Sequence, residues 1–253
     1  MTVEELVRLA VAVVALTVMI AIVLRVGGVR LGWAPAVAIA RAAVQLTVVG
    51  LALGGVFAAP SATALVLAIM LGTATWTATR RLRGLDRAGP AVVVACVTGA
   101  SAALGVVFAA GVLPFSARYL VAAGGIVIGG TMTGATLAGR GLLSGLRARR
   151  DEVEAWLALG ATPRQAARDV ARTAAGEALV PALDQTRTTG LVTLPGAFIG
   201  ALLGGASPLE AARFQLVVLA ALLAAQAVVA VLVTYFLGAP SPLPGDPPDR
   251  ARR

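Results

Sequence analysis

The 253 residues carry 58% hydrophobic and 13% charged side chains, against roughly 45–50% and 25% in an average soluble domain. With a mean hydropathy of +0.90, this excludes an ordinary water-soluble globule and a disordered chain. The formal charge of +9 comes from 21 Arg and no Lys against 12 acids. Only 4% of residues are aromatic, which leaves few base-stacking platforms, so no nucleic-acid partner is expected. A single cysteine, Cys96, forbids an intrachain disulfide, and the absence of His removes imidazole ligands and Ser–His or Cys–His dyads.

Seven stretches approach the roughly 20 apolar residues that cross a bilayer: Leu6–Leu24, Ala34–Leu53, Ser61–Ala78, Pro90–Ala110, Tyr119–Ala138, Thr188–Gly204 and Phe214–Leu237. Helices satisfy their own backbone in lipid, and barrel-like alternation is missing. The expected fold is therefore an all-α polytopic bundle of about seven spans in the cell (inner or plasma) membrane. With the N-terminus outside, seventeen Arg fall on inside segments and three (Arg8, Arg118, Arg213) outside. That bias predicts an outer N-terminus and an inner C-terminus. Glu4 and Glu5 stand where a signal peptide carries basic residues, so the first span is expected to be retained. The predicted organisation is a membrane domain over 1–238, with a cytoplasmic loop at about 139–187 and a disordered tail over 239–253.

Within the second span, Arg41 costs roughly 2.5–3.5 kcal/mol unless it meets a partner or a watery cavity. Gln45 lies one turn on. The pair reads either as a substrate contact and gate or as an Arg snorkelling to the interface. Glycines crowd the fifth and sixth intervals (Gly125, Gly129, Gly130, Gly134, then Gly196, Gly200, Gly204 and Gly205). Close helix packing is the favoured reading of that spacing. Thr131, Met132, Thr133 and Thr136 are the concentrated polar and sulfur groups of the fifth span, although Thr hydroxyls commonly bond back to their own helix. Pro195-Gly196 is positioned to break the sixth helix. No carboxylate lies within an assigned span, so no metal site is predicted. Asp184 and Arg187 are expected at the inner mouth of the sixth span, as an interface pair.

The polar interval centres on Asp151-Glu152-Val153-Glu154-Ala155-Trp156-Leu157-Ala158-Leu159-Gly160-Ala161-Thr162-Pro163-Arg164-Gln165. Gly160 suits a left-handed helix end, Thr162 a cap, Pro163 a first helical position, and Gln165 completes a capping box. The spacing predicts a helix–turn–helix with Trp156 and Leu159 on one face. It is either a docking element for a partner's groove or a loop folded back over the bundle.

Glu154-Ala155-Trp156 followed by Gly160 resembles the EAA coupling loop of ABC-transporter permeases, with Trp156 in place of the second Ala and Arg172-Thr173 in place of the downstream Leu-Pro. Pro181, Asp184, Arg187, Gly190, Leu191-Val192-Thr193-Leu194-Pro195-Gly196, Gly204-Gly205-Ala206-Ser207-Pro208-Leu209, Ala211-Ala212-Arg213-Phe214-Gln215 and Arg41…Gln45-Leu46 resemble the iron-export (Fet-type) ABC permease family. The resemblance implies a homodimeric permease subunit for metal export and homeostasis. A separate ATPase, which carries the ATP and Mg²⁺, would dock on Glu154, Ala155, Trp156, Leu159 and Gly160. Read from the residues themselves, the pathway or gating candidates are Arg41, Gln45, Thr131, Met132, Thr133, Pro195 and Gly196. Two departures bear on the solute: Ala197-Phe198-Ile199-Gly200-Ala201 stands where the family has Met-Met-Thr-Gly-Gln, and Gly130 where it has Asn.

A Walker A loop needs Lys, which the chain lacks, so it is expected to bind no ATP in that way and to be no enzyme. The alternatives to the permease are an ion-coupled secondary transporter and a non-transporting scaffold.

Overall fold

The structure, a computed structural model, describes residues 2–56, 60–85 and 87–239. The tail from residue 240 lies outside the described residues. The chain forms two compact units that divide between Val56 and Pro60.

The first unit holds α1 (Val3–Val26) and α2 (Ala34–Val56). Thr2 caps α1 in a reciprocal capping box with Glu5. Gly28 and Gly32 take φ of +69° and +54° in the connecting turn. No residue of α1 is buried within the chain, as suits a helix whose apolar surface meets lipid.

The second unit comprises α3 (Pro60–Arg81), α4 (Ala88–Ala109), α5 (Ala117–Ala148), α6 (Arg150–Ala158), α7 (Pro163–Ala166), α8 (Arg168–Thr188), α9 (Gly196–Leu203) and α10 (Pro208–Leu237). Its centre is α10, packed on α5, α4 and α8. Small residues set the closeness of this packing. A Cβ on Gly99 of α4 would lie 2.8 Å from the Ala225 carbonyl oxygen. One on Gly130 of α5 would intrude on Leu222 Cδ1 and sit 3.2 Å from Gln226 Nε2. These glycines let the backbones approach as closely as they do.

Among the described residues, six helices (α1, α2, α3, α4, α5 and α10) are long and apolar enough to cross a membrane. The sixth predicted interval, Thr188–Gly204, is not one helix. The chain leaves α8 at Thr188, turns through Gly190 at φ +88° and restarts at Gly196 after Pro195, which caps the eight-residue α9. Pro195 has no N–H to continue a ladder. The Val192 N–H donates to the Thr188 carbonyl at 2.9 Å and the Gly190 N–H to that of Thr193 at 2.8 Å, so the break satisfies its own backbone.

α8 and α9 follow one another along the same bundle. The start of α8 lies against the C-terminal end of α10, where Gly238 meets Ala171. α9 lies beside the first turns of α5 and α10, sharing a cavity with Arg118, Tyr119 and Phe214. The predicted loop at 139–187 thus contributes its first residues to α5 and its last to α8. α5, at 32 residues, is about 48 Å long and outreaches a hydrocarbon core of roughly 30 Å.

Candidate functional site

The elbow between α6 and α8 has the local chemistry its sequence predicts. Gly160 adopts φ +90°. Its N–H donates to the Leu157 carbonyl at 3.0 Å, and the Ala161 N–H to that of Trp156 at 3.0 Å; this is the paired bonding of a Schellman end. Thr162 Oγ1 accepts from the Gln165 N–H at 3.4 Å and Gln165 Oε1 from the Thr162 N–H at 2.9 Å, with Pro163 in the first helical position.

Two residues that the sequence reading passed over hold this elbow down. Val153 is 2% exposed, and Leu157, one turn on, packs on the same core as Leu142, Leu146, Ala166, Val170 and Leu237. An i, i+4 apolar pair between the acids was the available signal. Every predicted docking residue is exposed. Trp156 is 51% and Leu159 80% exposed, and Glu154, Ala155 and Gly160 are exposed beside them. Glu154 accepts from Arg150 Nε at 2.7 Å. Arg149 grips Glu152 through Nε and Nη2 at 2.8 and 2.6 Å and holds its carboxyl below the usual glutamate value.

The same corner occurs twice. Gly160-Ala161-Thr162-Pro163-Arg164-Gln165-Ala166-Ala167-Arg168 is echoed by Gly205-Ala206-Ser207-Pro208-Leu209-Glu210-Ala211-Ala212-Arg213. Gly205 takes φ +93°, the Ala206 N–H donates to the Ala201 carbonyl at 3.0 Å, and Ser207 forms a capping box with Glu210. One corner begins the helix that packs on the C-terminal end of α10; the other begins α10 itself. The motif therefore builds a helix corner, and position decides what each corner can meet.

α8 brings charge to the depth of the bundle. Val170 sits against Gly145 and Ala174 against Gly141, and Ala178 shares a cavity wall with Leu137. At one turn per step, Ala182 and Asp184 fall level with the apolar middle of α5, near Gly134. Asp184 and Arg187 form an ion pair at 3.7 Å with both side chains exposed on the protomer. They stand about 24 Å along α8 from its start. The six charged residues of α8 mask a small apolar face of Val170, Ala174, Ala178 and Ala182.

The remaining predicted residues are dispersed. Thr131 is buried, and its hydroxyl donates to the Ile128 carbonyl at 2.7 Å. Thr133 and Thr136 donate to Gly129 and Met132. These hydroxyls bond back within their own helix. Met132 is half-buried between two core clusters. Pro195 and Gly196 form the start of α9. Arg41 and Gln45 are exposed on α2 in the first unit. Two buried amides on α10 were unremarked as site residues in the sequence: Gln226, packed over Gly130 and Gly134, and Gln215, whose Oε1 lacks a hydrogen-bond partner among the described residues. Among the described residues no cluster of three or more Cys, Asp or Glu could hold a metal ion.

The model of the uncharacterised protein family UPF0014 matches residues 6–239. The chain belongs to the UPF0014 family. Its relatives include the UPF0014 membrane protein STAR2 of rice, 38% identical over 228 residues that span 89% of this chain and 79% of that protein. Another is Protein ALUMINUM SENSITIVE 3 of Arabidopsis thaliana, 34% identical over 78% of this chain and 73% of that one. The "Probable iron export permease protein FetB" of Escherichia coli K12 is 29% identical over 78% and 77%. No solved structure matches. UPF0014 membership, together with six apolar helices, makes this a multi-pass membrane protein with an all-α fold.

Proposed function

We propose that this UPF0014 chain is the membrane-spanning, non-catalytic subunit of an ATP-binding-cassette transporter. In this reading it works as a homodimer and exports iron or another metal ion. A separate cytoplasmic ATPase, which binds the ATP and Mg²⁺, docks on Glu154, Ala155, Trp156, Leu159 and Gly160. The observation that carries the docking is the two-sidedness of α6. Trp156 and Leu159 are exposed while Val153 is buried and Leu157 half-buried against the core that α5, α8 and α10 share. A push on such an elbow moves the packed helices behind it, because a close-packed interior transmits displacement, and so biases the bundle between inward- and outward-facing states.

The solute and direction draw support from the printed name of the Escherichia coli relative. A polar route draws support from Asp184 and Arg187 at the depth of the bundle, since intramembrane charge marks ion pathways by default. Gly196 and Gly200 have open space where a Cβ would stand, which supports a small-residue face for a second copy. Arg41 with Gln45, and the Pro195–Gly196 break, take gating roles. Met132, Thr131 and Thr133 shape the wall beside α10.

Co-reconstitution with a Walker-motif ABC ATPase tests the reading. Trp156→Ala or Glu154→Arg should abolish coupled ATP hydrolysis while the protein stays in the membrane. Asp184→Asn should stop metal efflux with the ATPase still bound. Unchanged coupled turnover in Trp156→Ala overturns the docking assignment, and metal flux without any ATPase replaces the permease with an ion-coupled secondary transporter.

A further inference from the structure

A groove of about 420 Å³ opens between α7–α8 and the C-terminal end of α10. Its rim carries Arg164 from α7 and, one turn apart on α8, Arg168 and Arg172. All three are exposed, and no carboxylate forms an ion pair with any of them among the described residues. The floor is apolar, built from Ala171, Ala175 and Val231. Tyr235, 52% exposed, closes the end where an apolar helix of 30 residues runs out, the depth at which interfacial aromatic residues collect.

We propose that this groove binds an anionic phospholipid, its phosphate headgroup on the Arg164–Arg168–Arg172 rim and the top of an acyl chain along Ala171, Ala175 and Val231. The juxtaposition of a basic rim with an apolar floor at the end of a membrane-crossing helix matches such a ligand in both charge and polarity. A free anion would use only the rim. The segment that follows α10 holds three Arg against two Asp and so offers the rim no net negative charge. This inference needs only the membrane location and stands apart from the docking of an ATPase.

The test is native mass spectrometry of the delipidated full-length protein titrated with phosphatidylglycerol and, separately, phosphatidylcholine. The wild type should retain phosphatidylglycerol preferentially. Arg168→Gln with Arg172→Gln should weaken that binding roughly 30-fold and leave phosphatidylcholine binding unchanged. Ala175→Phe should give a comparable loss with every arginine in place. Equal retention of the two lipids by the wild type overturns the proposal, as does undiminished phosphatidylglycerol binding by the double variant. Displacement of the lipid by millimolar inorganic phosphate would make the rim a free-anion site. A double variant that keeps its lipid but no longer co-purifies with an ATPase would make the rim a protein surface.

Discussion

The guanidinium carbon of Arg164 lies 3.9 Å from the centroid of the Tyr235 ring, and its Nη2 donates to the Tyr235 carbonyl at 3.5 Å across 71 residues of sequence. The contact ties the helix that follows the elbow to the last turns of α10, which runs back about 45 Å to the second corner. Arg164→Ala and Tyr235→Ala are each expected to lower stability by about 0.5–1 kcal/mol, the range for an exposed cation–π pair. Thermal unfolding of the two single variants and the double in detergent should give a non-additive cycle. Additive effects would mean that the stack contributes nothing.

Gly160 holds a backbone conformation that side chains resist. Gly160→Ala should cost about 1–2 kcal/mol locally, whereas Gly160→Asn should cost less, since Asn tolerates the left-handed region. Hydrogen exchange at Ala161, whose N–H closes the turn on Trp156, reads the difference directly.

Gly130 lies under Leu222. Gly130→Ala should destabilise the bundle by about 1–3 kcal/mol through overpacking. Leu222→Ala in the same chain should recover part of that loss, because the removed side chain is the one the new methyl meets. Melting temperatures of the singles and the double in one detergent decide the matter.

How much of this was legible beforehand differs from element to element. The elbow could be read residue by residue, because Gly160, Thr162, Pro163 and Gln165 each act on their own backbone neighbours, and such chemistry is local. The packing of α8 into the bundle could not. A hydropathy window rewards continuous apolarity, and α8 meets its neighbours through only four small buried residues, Val170, Ala174, Ala178 and Ala182, whose partners come from α5 and α10. The Thr188–Pro195 break was visible in Pro195 but was placed inside a helix that does not exist. Gln226 drew no notice because its burial depends on the glycines of another helix, which no single segment reveals. The anchors Val153 and Leu157 were overlooked among acids, although their spacing was there to be seen.

The Arg149–Glu152 pair makes the start of α6 sensitive to acid. Its carboxyl lies below the usual glutamate value of 4.5. The pair's contribution is therefore complete above that value and is lost as pH falls through the lower, folded-state value. Proteolysis or hydrogen exchange over α6 should show loosening in the wild type only as pH falls below the usual glutamate value. In Glu152→Gln the same segment should be looser at neutral pH and should change little on acidification.

The two nine-residue corners share Gly, Ala, Pro and the closing Ala-Ala-Arg, and they cap opposite ends of the bundle. A peptide antiserum raised against either would carry affinity for the other, so epitope mapping of sidedness would report both faces of the membrane at once. Thiol labelling avoids this ambiguity. Cys96 is buried, and single cysteines installed at Ala161 and at Ala206 would each answer for one end alone.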